Sequence, residues 1–247
     1  LDRFSISALK ASKEFSFENP YKNLLKRILI FIDKFSKNKK FYFEKKDSNK
    51  VSEYSPLNFD KAYNHFFLDG NFESEKYFID YRNDLLNEFD IKNKDQFSDN
   101  KYLDIIKKHN VVSICVRQNR FSERVNNKFS SENLNKSLLF VKETINYINK
   151  AIEYFNKRID NPKYLIWSND FDNLDKYFDT KKFIFVMNSE DKVLTDFFLL
   201  TQCRYFIVGP STFHWWGAWL SNFDDKICVR PNNLNPSNNK DFWPEKW

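Results

Sequence analysis

"RYFIVGPSTFHWWGAWLS", residues 204–221, holds the end of one strand, a turn and the start of a helix. The apolar run 204–209 predicts a buried strand, and the segment from 211 opens an apolar helix. Gly209 and Pro210 are typical turn residues between the two. This strand–turn–helix unit decides which fold class the chain can adopt.

Ser211 and Thr212 stand at the predicted helix start, where backbone N–H groups are unpaired and the helix dipole is positive. Their hydroxyls can cap the helix, or they can present hydroxyl and N–H groups to a phosphate. Both interpretations stay open from the sequence. We interpret the three tryptophans of this helix mainly as packing residues, with stacking on a base or sugar ring as the alternative; they are Trp215, Trp216 and Trp219.

Strand and helix patterns alternate through the second half of the chain. Buried strands are predicted at 110–117, 163–168, 182–187, 204–209 and 225–231. Helices are predicted at 134–159, 171–178, 190–203 and from 211 onward. Such alternation indicates an α/β protein whose parallel sheet is covered by helices on both faces.

Residues 1–105 have a mostly helical pattern. The segment 23–35 places apolar residues on one helical face, although a buried strand is an alternative. The segment 73–91 has helical periodicity, and Ser74 begins it with a pattern resembling a capping box. We therefore expect a mostly helical first domain.

Composition and charge exclude several classes of protein. The 247 residues carry 40 basic and 34 acidic side chains, a net charge of +6. This balance fits a solvated surface, a basic cleft for a phosphorylated ligand, or attraction to an anionic membrane, and the cluster 34–46 fits each of them. No nucleic-acid-binding signature and no apolar run of membrane-spanning length is present. The widely spaced Cys115, Cys203 and Cys228 indicate free thiols of a cytoplasmic protein, and no metal-ligand set is predicted.

Polar side chains follow the predicted strands at the edge where parallel sheets bind ligands. Arg117 directly ends a buried strand, so its guanidinium either binds an anion such as a diphosphate or pairs with an internal carboxylate. Arg120 is a weaker candidate for such an anion contact and is interpreted mainly as a surface charge. Asn169 and Asp170 follow the next strand, where they either face a ligand or cap a helix. Asp196 lies in an apolar helix, where it either accepts from a guanine edge or a ribose hydroxyl, or is a charge on an exposed face or in the N-terminal turn of the helix.

Taken together, these segments resemble the bacterial α-1,2-fucosyltransferases of glycosyltransferase family 11. The resemblance follows the family's order along the whole chain, and the block 196–220 is its most specific part. The matching segments are "LDRFSI" (1–6), "FLDGNFESEKYF" (67–78), "SICVRQNRF" (113–121), "IWSNDF" (166–171), "DFFLLTQCRYFIVGPSTFHWWGAWL" (196–220) and "FWPEKW" (242–247).

The resemblance implies a two-domain GT-B fold, with an acceptor-side domain at 1–107 and a Rossmann-type, GDP-sugar-binding domain at 108–247. It implies an inverting transfer of fucose from GDP-fucose to the 2-hydroxyl of a galactose-containing glycan, in O-antigen, lipopolysaccharide or capsule synthesis. No cofactor and no metal is expected. By motif position Arg117 would hold the diphosphate during catalysis, Asp196 would contact the nucleoside, and the β-phosphate would be cradled by Ser211, Thr212 and Phe213.

The sequence departs from the family in two places. The family's arginine motif reads H-x-R-R-G-D-Y, whereas residues 115–121 read C-V-R-Q-N-R-F and keep only the first arginine, Arg117. The family's opening strand and its G-G-L-G-N-Q turn have no counterpart ahead of "LDRFSI". We therefore expect this chain alone to be weakly active or inactive.

An inverting transfer needs a base near the acceptor hydroxyl, or a loose transition state in which the leaving diphosphate takes the proton. Glu123 is the candidate base, with a surface charge as the alternative, and Asp69 and Glu73 are alternative acids. A transferase for another nucleotide sugar and an inactive glycan-binding homologue are the competing functions. The expected location is cytoplasmic, with peripheral contact to the inner membrane as a further expectation and no nucleic-acid partner.

Overall fold

The computed structural model describes residues 2–7, 20–37, 39–59, 66–122, 131–188 and 192–247. The chain divides into two compact units: Leu1–Asp90 with Ser237–Pro244, and Ile91–Pro236 with Glu245–Trp247. The sequence predicted a division between 107 and 108. The structure assigns 91–107 to the second unit, because the Tyr102 hydroxyl donates to the carbonyl of Phe185 and Phe97 stacks on Phe198 there. The acceptor and donor roles of the two units stay predictions.

The first unit combines helices with a small sheet that the sequence did not predict. Its elements are α1 (Pro20–Phe35), β1 (Phe41–Phe43), β2 (Phe67–Asp69) and α2 (Arg82–Glu88). Strands β1 and β2 pair in parallel, with the Phe41 and Phe67 rings stacked 4.7 Å apart. Both strands have only three residues each, too few for a period-2 pattern to stand out in the sequence.

The segment predicted as one helix at 73–91 is instead broken. Short 3-10 turns at Glu75–Tyr77 and Ile79–Tyr81 precede α2, because Phe78 has a non-helical backbone at φ −143°. The predicted cap at Ser74 is present, with its hydroxyl accepting from the N–H of Lys76. Segment 23–35 is helical, as one of the two interpretations predicted.

The second unit contains the predicted parallel sheet with its helices. Its elements are α3 (Lys101–Lys108), β3 (Val111–Val116), α4 (Ser131–Asn156), β4 (Lys163–Ser168), β5 (Phe183–Phe185), α5 (Lys192–Thr201), β6 (Tyr205–Ile207), α6 (Thr212–Leu220) and β7 (Ile227–Val229). All five predicted strands are confirmed. The helix predicted at 171–178 is only a 3-10 turn at Leu174–Lys176, which follows the left-handed Asn173 (φ 60°).

Helices cover the sheet on both faces. Successive side chains of a strand point to opposite faces, so the neighbours of β3 show which helix lies on each face. Val112, Ile114 and Val116 of β3 pack with α4 in the main hydrophobic core. Ser113, between them in sequence, instead contacts His214 of α6. The predicted α/β, Rossmann-type architecture is therefore confirmed, with β3 fully buried at the centre.

The strand order, β5-β4-β3-β6-β7 with every pairing parallel, positions the candidate site. The chain adds β4 and β5 on one side of β3 and then returns to add β6 and β7 on the other. This reversal makes the carboxyl ends of β3 and β6 the topological switch point, where open parallel sheets bind their ligands.

Candidate functional site

Gly209, two residues after the end of β6, allows two backbones to approach closely at the switch point. A Cβ added there would overlap the carbonyl oxygen of Cys115 and stand 3.0 Å from its carbonyl carbon. The close approach is what requires glycine here. Backbone conformation does not require it, since the φ of Gly209 is not positive. The end of β3 and the turn after β6 are thus in direct contact.

Arg117 is half-buried and directly follows β3. Ile114 pairs with Ile207, so by register Arg117 and Pro210 each lie three residues past a matched pair. Burial raises the pKa of the Cys115 thiol to about 12, the positive charge of Arg117 opposes this shift, and the carboxyl of Asp196 adds to it. The buried thiol of Cys115 therefore lies close enough to Arg117 and to Asp196, the two residues predicted to contact the sugar donor, to be affected by both charges.

Asn169 and Asp170 tie the loop after β4 to the loop that carries Arg117. Asn169 accepts from the N–H of Gln118 (2.9 Å) and donates to its carbonyl (3.2 Å). Asp170 accepts from the side chain of Asn119 (3.0 Å) and from the N–H of Asp172 (2.9 Å). These bonds hold the loop of Arg117 in place, and donor contact by Asn169 and Asp170 stays a prediction.

The residues that replace the arginine motif have their own structural roles. Asn119, at the motif's glycine position, has a left-handed backbone (φ 55°), which Asn tolerates better than most residues. Arg120 reaches the carbonyl of Pro210 (3.5 Å) and that of Pro236, and its guanidinium lies 5.4 Å from the Phe140 ring. Sequence reasoning treated Arg120 as a surface charge, because the distant carbonyls it reaches leave no local pattern.

At the start of α6, the structure tests the capping interpretation of Ser211, and phosphate binding by this turn stays a prediction. It is the N-cap residue by backbone geometry (φ −147°, ψ 134°), yet its side chain makes no cap hydrogen bond. Thr212 is exposed and Phe213 is half-buried, with its ring 5.7 Å from that of Phe197. The first N–H groups of a helix have no partner within it, so this turn can bind an anion.

The tryptophans of α6 are packing residues, as the sequence predicted. Trp215 and Trp219 are buried and stack with their ring centroids 6.1 Å apart. Trp215 also lies against Trp247, at 5.4 Å. These contacts fix the helix whose first turn faces the switch point.

Asp196 lies on α5 and is only 6% exposed, which rules out the exposed-face alternative. Asn188, after β5, donates to its Oδ1 at 2.6 Å and accepts from Asn100 at 3.0 Å. Burial raises the pKa of the Asp196 carboxyl to about 6, against the opposing effects of the Asn188 hydrogen bond and the Lys192 charge. At pH 7 and above the carboxyl is therefore mainly ionised and can accept hydrogen bonds from a nucleobase edge.

His214 is a residue whose role sequence reasoning missed. It is completely buried, and burial lowers the pKa of its imidazole to about 3, so the ring is neutral. The N–H of Gly209 donates to Nδ1 at 2.9 Å, so the ring proton sits on Nε2, which donates to the Ser113 hydroxyl at 2.8 Å. A side chain of α6 thus links the turn after β6 to the interior of β3.

Replacing His214 with Asn or with Gln tests its two hydrogen bonds one at a time. Asn has an amide oxygen near the Nδ1 position and can still accept from Gly209, whereas Gln extends its amide toward Ser113. We expect both variants to lose about 1–3 kcal/mol of unfolding free energy, the usual cost of an unmade buried hydrogen bond. We expect only His214→Gln to weaken GDP binding measurably in calorimetry.

Ser113→Ala is the matched control for this pair of variants. It removes the partner of Nε2 and leaves the bond to Gly209 intact. We expect reduced stability with unchanged GDP affinity. Equal GDP affinities for His214→Gln and His214→Asn would show that the bond to Gly209 does not position the turn.

The acidic candidates for the base have different environments. Glu123 lies outside the described residues, so its assignment stays a prediction. Asp69 pairs with Lys26 at 2.8 Å, and Glu73 accepts from the hydroxyl of Ser237. Across the described ranges, no group of three or more His, Cys, Asp or Glu side chains is arranged to hold a metal ion. Metal independence stays a prediction.

Comparisons with known proteins match this chain to glycosyltransferases. The model of a family described as "Glycosyl transferase family 11" matches residues 20–246. An "Alpha-1,2-colitosyltransferase" from Escherichia coli is 30% identical over 188 residues, which cover 72% of this chain and 60% of that protein. An "O-antigen biosynthesis glycosyltransferase WbnK" from Escherichia coli is 35% identical over 78 residues, which cover 31% of this chain and 26% of that protein. The chain thus spans less than two thirds of the length of either relative.

Proposed function

Because the chain belongs to glycosyltransferase family 11, we propose that it transfers a fucose-type sugar from a GDP-linked donor to the 2-hydroxyl of a galactoside in a surface glycan. Both relatives support this reaction class through their names, one by its α-1,2 linkage and one by its role in O-antigen synthesis. The galactoside acceptor and the GDP donor rest on the sequence resemblance.

The observation that carries this proposal is that Arg117 follows β3 and the first turn of α6 follows β6, at the same end of the sheet. The two groups end adjacent strands at the switch point of the sheet. A planar guanidinium and a set of unpaired N–H groups together match the two phosphoryl groups of a nucleotide sugar. The uncapped hydroxyl of Ser211 adds a donor at the same turn.

In the proposed reaction, the bond between the sugar C1 and the β-phosphate oxygen breaks while the acceptor hydroxyl attacks C1 from the opposite side. Negative charge develops on the leaving diphosphate. Arg117 and the start of α6 neutralise this charge, which is the task of a metal ion in other transferases. The acceptor proton goes to Glu123 or, in a loose transition state, to the departing phosphate.

The nucleoside end of the donor is assigned to Asp196. An ionised carboxylate accepts hydrogen bonds from the two N–H groups on the guanine edge, and uracil has no such pair of donors. Asn188 holds the carboxylate by donating to its Oδ1. Burial of this pair makes a mismatched base costly, because the carboxylate would lose the hydrogen bonds that the base donates.

Colitose is the second candidate for the transferred sugar. The relative that matches 72% of this chain carries the name of a colitosyltransferase. Fucose and colitose therefore both belong in the test. The choice between them depends on contacts to the sugar ring rather than to the GDP portion.

A donor panel at pH 7.5 tests the proposal. We expect calorimetry to detect GDP, GDP-fucose and GDP-colitose and to give at least about tenfold weaker binding for UDP and UDP-galactose, as expected for unpaired buried polar groups. Asp196→Asn is the specificity variant, and we expect it to reduce the preference for GDP over UDP.

Transfer is then measured as GDP release in the presence of galactosides. A product linked through the galactose 2-hydroxyl would support the full proposal. Binding of UDP-sugars in preference to GDP-sugars would contradict the donor assignment. Glycan binding with no affinity for any nucleotide would favour the inactive homologue.

A further inference from the structure

Helix α1 presents an apolar stripe to solvent. Seven large hydrophobic residues are between 48% and 87% exposed: Tyr21, Leu24, Leu25, Ile28, Phe31, Ile32 and Phe35. At the helical period of 3.6 residues per turn they fall within an arc of about 120°. Contiguous exposed apolar patches of this kind mark interaction surfaces, whereas scattered single residues do not.

The opposite side of α1 faces its own unit. Lys26, Leu29, Ile30 and Asp33 are half-buried. Lys26 pairs with Asp69, and the carboxylate of Asp33 accepts from the N–H groups of Lys40 and Phe41. The side of α1 that packs on the protein is thus fixed by polar bonds, and the apolar stripe points away from it.

Charge around the stripe is positive. Arg27, Lys34 and Lys37 are exposed, and Asp33, the one acid in the sequence of α1, is turned toward β1. Lys39 donates to the last carbonyls of the helix, those of Asp33 and Lys34. An apolar face flanked by cations is the pattern of helices that lie in the surface of an anionic membrane.

We propose that α1 docks this protein onto an anionic phospholipid surface, with the stripe inserted among the acyl chains and the cations at the headgroups. The helix lies in the membrane plane, because no described helix is long and apolar enough to cross a bilayer. A second copy of this chain fits the stripe less well, since pairing two α1 helices would bring their cationic flanks together. This docking is independent of which sugar the site transfers.

Vesicle co-sedimentation tests the docking without an activity readout. The probes are vesicles of 70% phosphatidylcholine with 30% phosphatidylglycerol, and vesicles of phosphatidylcholine alone. We expect the wild-type chain to bind the anionic vesicles and to lose about tenfold or more in binding when the phosphatidylglycerol is omitted, since the cations then have no anionic partner.

The stripe variant is Leu25→Glu with Phe31→Glu, at side chains that are 50% and 62% exposed. We expect it to bind anionic vesicles at least about tenfold more weakly, because glutamate on the apolar face opposes insertion. The matched control is Leu138→Glu with Leu139→Glu, equally exposed on α4 (58% and 60%). The control should bind like the wild type.

The charge variant is Arg27→Gln with Lys34→Gln and Lys37→Gln. It is compared with Lys107→Gln, Lys108→Gln and Lys163→Gln, exposed lysines of the second unit that change the net charge equally. Weaker vesicle binding in the first set alone would support the proposal. The proposal would be overturned if the wild-type protein did not bind anionic vesicles, or if the stripe variant bound them as tightly as the wild type. A third outcome would assign the stripe to a second copy of the chain: the wild type forms dimers in sedimentation velocity and does not bind vesicles, and the stripe variant is monomeric.

Discussion

Arg117→Ala is expected to lower the affinity for GDP by about 2–4 kcal/mol, roughly 30- to 1,000-fold, because a half-buried cation at the diphosphate is lost. Arg117→Lys keeps a positive charge and loses the planar fork, so we expect an intermediate loss. Calorimetric titration with GDP and GDP-fucose measures both effects. GDP release in the presence of acceptor then shows whether the same loss appears in the rate.

Arg204→Ala is the matched control for this change. Arg204 directly precedes β6 at the amino edge of the same sheet, where it pairs with Asp225 at 3.2 Å. Arg204→Ala removes one positive charge, as Arg117→Ala does, and leaves the switch point intact. We expect wild-type GDP affinity for Arg204→Ala. If Arg117→Ala also kept that affinity, the diphosphate would have to bind elsewhere and the proposed donor site would be wrong.

Gly209→Ala is expected to destabilise the second unit by about 3 kcal/mol or more. The added Cβ would overlap the carbonyl oxygen of Cys115, a backbone atom that cannot rotate away. Overpacking of this kind forces backbone shifts, so the end of β6 would have to move away from β3. Because that movement separates Arg117 from the start of α6, GDP affinity should fall together with stability. Urea unfolding and calorimetry measure the two effects.

Gly217→Ala provides the comparison within the same segment. The Cβ added there would stand 2.7 Å from the Cβ of Leu200, so α5 and α6 would have to move slightly apart, but the overlap is smaller than the one with the Cys115 carbonyl oxygen at Gly209. Alanine also has a helix propensity about 1 kcal/mol better than glycine, which offsets part of the cost. We therefore expect a smaller loss of stability and little change in GDP affinity. A Gly209→Ala variant no less stable than Gly217→Ala would contradict the close approach of the two backbones.

The fold class and the place of the site followed from local patterns in the sequence. Runs of β-branched and aromatic residues predicted all five strands of the large sheet, and their alternation with helices predicted parallel pairing. The rule that ligands bind at the carboxyl ends of such strands then selected Arg117 and Ser211–Phe213. The fold-class inference succeeded because hydrophobic periodicity and chain order are properties of neighbouring residues. Donor binding at these strand ends stays a prediction.

Other features depended on which distant residues meet. The ring of His214 bonds to Gly209 and to Ser113, and Ser113 lies far away in the chain. Arg120 reaches the carbonyls of Pro210 and Pro236. No local pattern marks such bonds, so sequence reasoning left His214 without a role and placed Arg120 on the surface.

The side of α1 that faces solvent shows the same division between local and distant information. Helical periodicity in 20–35 reveals an apolar stripe, but the pattern is identical whether the stripe packs into a core or points outward. The pairing of Lys26 with Asp69 and the bonds of Asp33 to the start of β1 settle the orientation. The sequence by itself determined the strands of the large sheet, their order along the chain and the strand ends that carry the candidate site. Only the tertiary structure decided which faces pack and which side chains hold the site together, because those contacts join residues that are far apart along the chain.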